Sequence, residues 1–279
     1  MKTSDDIEKL SSLLDDEDDD VAVNVLALLL EREDELGDLP GRLQESENPI
    51  VRKRAHQLQA AITFRQRRRE FFQLLSQDHP DFVTGLAALH LLWFDRDSRT
   101  RLEKDLHSFI ASARDCELET LDDARRFICR CGFASELDST LRPENYCIGL
   151  ILAQKTGAAS LLMGLIKVLM RSPEKFHIVR FCGAFALFDG ESSILLSQGD
   201  WRVCKVSSTA DFEYFSLRDV LHCAGNMLFS SAVNSDSFRY VLTIAQSLSG
   251  DNGDDILSAM PYPYGPTASA GRIQWDVCE

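Results

Sequence analysis

Residues 156–188 read TGAASLLMGLIKVLMRSPEKFHIVRFCGAFALF. The first half is almost wholly apolar, from about Ala159 to Arg171. A helix that is hydrophobic on every side belongs in the middle of a core. Pro173 interrupts the pattern. From Phe176 to Phe188 the residues alternate and are rich in Phe, Ile and Val, which predicts β structure. The change of period decides the fold class: α+β, mostly helical, with a small antiparallel sheet packed on a buried central helix.

Toward the C-terminus, Ser193–Leu196 and Trp201–Val206 read as further strands, joined by the turn Gln198-Gly199-Asp200. Ser216 caps a helix over SLRDVLHCAGNMLFSSAV. Asp236 caps another that stops at Gly250. Beyond it, MPYPYGP and its surroundings lose all period and read as an irregular tail. Toward the N-terminus, FVTGLAALHLLWFD carries Leu86, Leu89, His90 and Trp93 along one stripe. Ser98 or Thr100 caps the next helix, and LDDARRFICRCGFAS makes another that ends at Gly132. Asn145 or Glu144 begins a helix that Gly157 closes. His90 and His107 read as core or boundary histidines rather than catalytic ones.

The first 80 residues read as helical hairpins. DDDVAVNVLALL and NPIVRKRAHQLQ share a rhythm and resemble HEAT-type repeats. An ordinary helical bundle is the alternative. Asn48 can cap, Pro49 suits the first turn, and Ile50, Val51, Ala55, Leu58 and Ile62 form one apolar stripe. The basic run Arg65–Phe72 reads as a solvated helix face that pairs with the acids near residues 15–20. Phosphate binding is its second reading.

The 279 residues carry 30 Lys+Arg against 44 Asp+Glu, a formal net charge of -14. Such a chain repels nucleic acid and anionic membrane surfaces, so neither is an expected partner. The longest apolar run, Ala158–Met170, is too short to span a bilayer. The acidic N-terminus has no hydrophobic signal core, which predicts a cytoplasmic protein. The eight cysteines then read as reduced, small buried hydrophobes. Cys129 and Cys131 lack a second pair at zinc spacing, so no metal is expected, and no cofactor is either.

From about Gly85 to Asp251 these pieces, in order, resemble the bacterial transglutaminase-like proteins of the SirB type. CGFASELDSTLRPENYCIGLILAQKTG follows that family's helix, Pro-x-Asn loop and helix. SLLMGLIKVLM occupies its central helix, and RFCGAF stands where it has Phe-Pro-Gly-His-Phe. FSLRDVL resembles the step after its sheet, and NMLFSSAVNSDSFRYVLTIAQSLSGDN its tetratricopeptide-like hairpin. The resemblance implies a transglutaminase- or papain-like core over 81–215 and a helical hairpin over 216–250; the helical region 1–80 and the irregular tail 251–279 lie outside it.

The wider superfamily uses a Cys at the start of the central helix, a His on the neighbouring strand and an Asp on the next. In the SirB type the Cys position is commonly Ser. Here the resemblance places the nucleophile at Leu161 or Leu162, beside Ser160. It places the histidine at Ala184 and the acid near Ser197. Leucine and alanine move no proton. The expected function is therefore a non-catalytic protein-interaction or scaffold module, with the acidic N-terminus favouring a basic protein partner. A purely structural subunit belongs to the same reading. The alternative is a thiol-dependent hydrolase or acyltransferase rebuilt around Cys182, with His177 or His222 as base. On one continuous strand, alternation sets Cys182 beside Ala184 and turns His177 away.

Overall fold

The computed structural model describes residues 2–136, 141–197, 200–235 and 237–250. The chain divides into two compact units at Arg67/Arg68.

The first unit is helical: α1 (Lys2–Ser12), α2 (Asp19–Glu31), α3 (Leu39–Gln44) and the larger part of α4 (Pro49–Leu75). Asp18 caps α2 by accepting from the Asp20 N–H. Asn48 Oδ1 accepts from the Ile50 N–H at the start of α4, as Asn-Pro at a helix start predicts. Val25, Leu29, Leu58 and Ile62 form the centre of this unit's core.

Arg54, 5 % exposed, lies among them. Its guanidinium donates to the carbonyls of Leu14 and Asp16 and reaches Asp19. The buried cation thus satisfies carbonyls at the α1–α2 junction. Arg65 of the basic run donates instead to the Leu30 carbonyl. The acidic stretch is thus engaged at Asp16 and Asp19 by a buried residue of α4, a contact that the sequence did not suggest.

The second unit begins with the end of α4 and continues through α5 (Phe82–Trp93), α6 (Arg99–Arg114) and α7 (Leu121–Arg130). A short strand β1 (Ala134–Glu136), a 3-10 turn (Pro143–Tyr146) and α8 (Ile148–Gln154) follow. Next come β2 (Thr156–Ala158), α9 (Ala159–Leu169) and the strands β3 (His177–Phe181), β4 (Ala184–Phe188), β5 (Ser193–Leu196), β6 (Arg202–Lys205) and β7 (Glu213–Phe215). Helices α10 (Leu217–Asn234) and α11 (Phe238–Ser249) complete it. Ser98 and Ser216 cap α6 and α10 as the sequence predicts, Ser216 in a capping box with Asp219, and Thr120 forms a further capping box with Asp123 on α7.

The expected α+β class holds: the described chain is mostly helical, with a five-stranded antiparallel sheet in the order β6-β5-β4-β3-β7. Four local readings change. Gly157 does not close α8. Lys155 does, in the left-handed conformation at φ 58°, and Gly157 lies in β2. The stretch 176–188 is not one strand. It turns at Cys182-Gly183, where both residues have positive φ, and pairs with itself as β3 and β4. Strands β1 and β2 pair in parallel, and β7 adds an edge to the main sheet. All three are three residues long, too short for alternation to register. The cap at Asp236, the turn at 198–199 and the tail 251–279 lie outside the described residues.

The sheet has two apolar faces. Ile178, Phe185, Leu187 and Leu195 join the main core, which also holds Leu161, Leu165 and Ile166 of α9 and Leu221 and Leu228 of α10. The hairpin helices and the sheet thus share one core. Val179, Ala186, Phe188 and Ile194 form a separate cluster on the other face. Phe212 closes that cluster, its ring edge-on to Phe181 and Phe188.

Candidate functional site

The site that the sequence singles out is the start of α9 and the strand beside it. Ala158 precedes the helix and contributes no side-chain cap. Ser160 is 1 % exposed, Leu161 2 % and Leu162 1 %. The hydroxyl and both leucines lie inside the core, where no substrate from solvent meets them. Met163, Leu165 and Ile166 continue the same buried surface.

Ala184 begins β4 and pairs with Phe181. Side chains alternate along a strand, so Ala184, Ala186 and Phe188 share one face while Phe185 and Leu187 occupy the other. Phe185 and Leu187 belong to the core that contains α9; Ala186 and Phe188 belong to the separate cluster. Ala184 therefore turns away from the central helix, although the resemblance puts there the histidine that would act on that helix's nucleophile. Phe185 faces the helix instead, because the tight turn at 182–183 sets the register. Ser197 is buried, and its carbonyl accepts from the Ser135 hydroxyl at 2.5 Å, linking the end of β5 to β1. Trp201 adds a second link by donating to the Phe133 carbonyl.

Cys182 is exposed at the hairpin tip with φ 49°. Parity along a continuous strand does not apply to a turn residue. His177 stands at the far end of β3, five residues away, or about 16 Å along an extended chain. It packs against Phe188 and Tyr214 and cannot act as base for Cys182. His222 is bonded to Asn226 on α10. The other thiols are also less uniform than expected: among the described residues only Cys147 is buried, while Cys129 is exposed like Cys182. Burial pushes the Cys147 thiol well above its ordinary value, so it stays protonated.

One histidine is placed as the sequence predicts. His90 is 1 % exposed, with Asp97 on Nε2 and the Gly149 N–H on Nδ1. Its partners are not legible in sequence, since Gly149 lies 59 positions away.

No family model, no curated protein and no solved structure matches this chain. Among the described residues no helix is long and apolar enough to cross a membrane. No group of three or more His, Cys, Asp and Glu side chains among them is arranged to hold a metal ion.

Proposed function

We propose that this protein is a non-catalytic interaction or scaffold module built on a transglutaminase-like frame whose catalytic positions have been lost. The observation that carries the reading is the burial of Ser160, Leu161 and Leu162 in the first turns of α9. A nucleophile at the start of that helix needs an open cleft, and this helix start is buried. The order of a buried helix followed by antiparallel strands supports the transglutaminase-like frame. The helical pairs on either side support a binding role, HEAT-like in the first unit and tetratricopeptide-like at α10–α11, since stacked helices offer extended surfaces to proteins. A net charge of -14 favours a basic protein as partner.

Two assays test this. Amine incorporation and ester hydrolysis are measured with the unmutated protein at high concentration, and no turnover is expected. Turnover abolished by Cys182→Ala and untouched by Ser160→Ala would establish the thiol enzyme instead. Tagged protein recovered from its own cells at low salt should carry a basic protein that leaves as salt rises, because screening weakens that attraction.

A further inference from the structure

A cleft of about 520 Å³ opens in the second unit among Glu136, Arg142, Glu144, Asn145, Gln154 and Thr156. Its volume falls in the range of small-molecule sites, but its lining is polar. The parallel register pairs Ala134 with Thr156 and Glu136 with Ala158, so Glu136 and Thr156 project on the same side of the β1–β2 pair. Glu144 and Asn145 come from the 3-10 turn, and Gln154 ends α8.

Two features ask for a ligand. Asn145 is 5 % exposed, and its Nδ2 has no hydrogen-bond partner among the described residues. A buried donor left unmet is costly, so an acceptor is wanted there. Glu136, Glu144 and Arg142 also meet in this cleft with no ion pair among the described residues.

The chemistry narrows the class. An orphan donor and a guanidinium are wrong for a metal ion. Two carboxylates oppose a phosphate. Together the groups present donors for a carboxylate and acceptors for ammonium or guanidinium. The two acids outnumber the one arginine, which favours a ligand with net positive charge.

We infer that this cleft binds a free α-amino acid with a cationic side chain, its carboxylate met by Asn145 and Arg142 and its cationic groups by Glu136 and Glu144.

The probe is L-arginine, titrated calorimetrically into the full chain at low ionic strength. Agmatine, the same molecule without its carboxylate, is titrated in parallel. Arginine should bind, and agmatine should bind roughly tenfold more weakly or worse, because a charge-assisted contact is lost. Arg142→Gln should weaken arginine by about the same factor and leave agmatine nearly unchanged. Arg142 is exposed, so this variant folds. Asn145→Leu should abolish binding. Absence of heat with arginine into the millimolar range would overturn the inference. So would equal binding of arginine and agmatine, which marks only an acidic surface. A rise in Tm for Asn145→Leu with arginine binding unaltered would also overturn it, since Asn145 would then be an unmet donor and nothing more.

Discussion

His90 and Asp97 are joined by a 2.9 Å hydrogen bond that fixes the protonation of a buried ring. The Gly149 N–H donates to Nδ1, so the single proton of the neutral imidazole sits on Nε2 and points at the carboxylate. Burial is the largest influence on this histidine and lowers its pKa below 6.5, against the smaller opposing pull of Asp97. An unfolded histidine takes up its proton near 6.5, and the folded one resists it. The stabilisation is therefore complete above pH 6.5 and declines as pH falls below it toward the folded value. Tm should drop between pH 6.5 and 5.5. His90→Gln, which keeps a donor but cannot titrate, should flatten the slope. A wild-type Tm that rises on acidification over this interval would contradict the assignment.

Arg54 supplies the second prediction. Its guanidinium holds two carbonyls at the α1–α2 junction and reaches Asp19. Arg54→Ala should destabilise the first unit by about 2–4 kcal/mol, because buried acceptors lose their donor and a cavity opens. Arg54→Lys should recover only part of this, since an ammonium is a point charge and cannot span the same fork. Urea denaturation measures both variants.

Gly164 tests the packing of the central helix. A Cβ there would stand 2.4 Å from Cζ of Phe82, a ring 2 % exposed. Alanine is the better helix former by about 1 kcal/mol. Overpacking costs about 1–3 kcal/mol and should win. Gly164→Ala should therefore lower stability, and Phe82→Leu in the same chain should relieve part of the loss. Additive losses in a double-mutant cycle would show that the two sites do not meet.

The hairpin tip allows a stabilising change. Cys182 and Gly183 both have positive φ, the geometry of a two-residue turn that favours Asn-Gly. Cys182→Asn should raise stability by about 0.5–1 kcal/mol, as relief of a disfavoured backbone conformation. Iodoacetamide labelling of the folded protein should lose the site at Cys182 and keep the one at Cys129, the two exposed cysteines among the described residues. An unchanged label count would place Cys182 elsewhere.

Installing a nucleophile and a base at the two positions that the resemblance names should not create catalysis. Ala184→His alone offers a base without a nucleophile. Adding Leu161→Cys does not join them, because Ala184 lies on the sheet face opposite the one that meets α9. Both thiol labelling at residue 161 and amine incorporation should remain at background. Catalysis by Leu161→Cys/Ala184→His, absent from either single variant, would show that the two positions face each other after all.

Local order was largely readable from the chain. Caps at Asn48, Ser98 and Ser216, the buried run of α9 and the alternation from Phe176 onward are all one-dimensional signals. Each depends on residues within a few positions of one another, and together they set the elements and the α+β class. The site was less readable. The burial of Ser160 follows from what packs over α9. The direction of Ala184 follows from a turn whose two residues replaced an expected straight strand. The partners of Arg54, and the Gly149 N–H that meets His90, lie tens of positions away, and the cleft at Asn145 gathers a strand end, a 3-10 turn and a helix end. Period and propensity are local properties of the chain. Which groups face one another, and which are left without a partner, depends on long-range packing and register, and only the tertiary structure decided that.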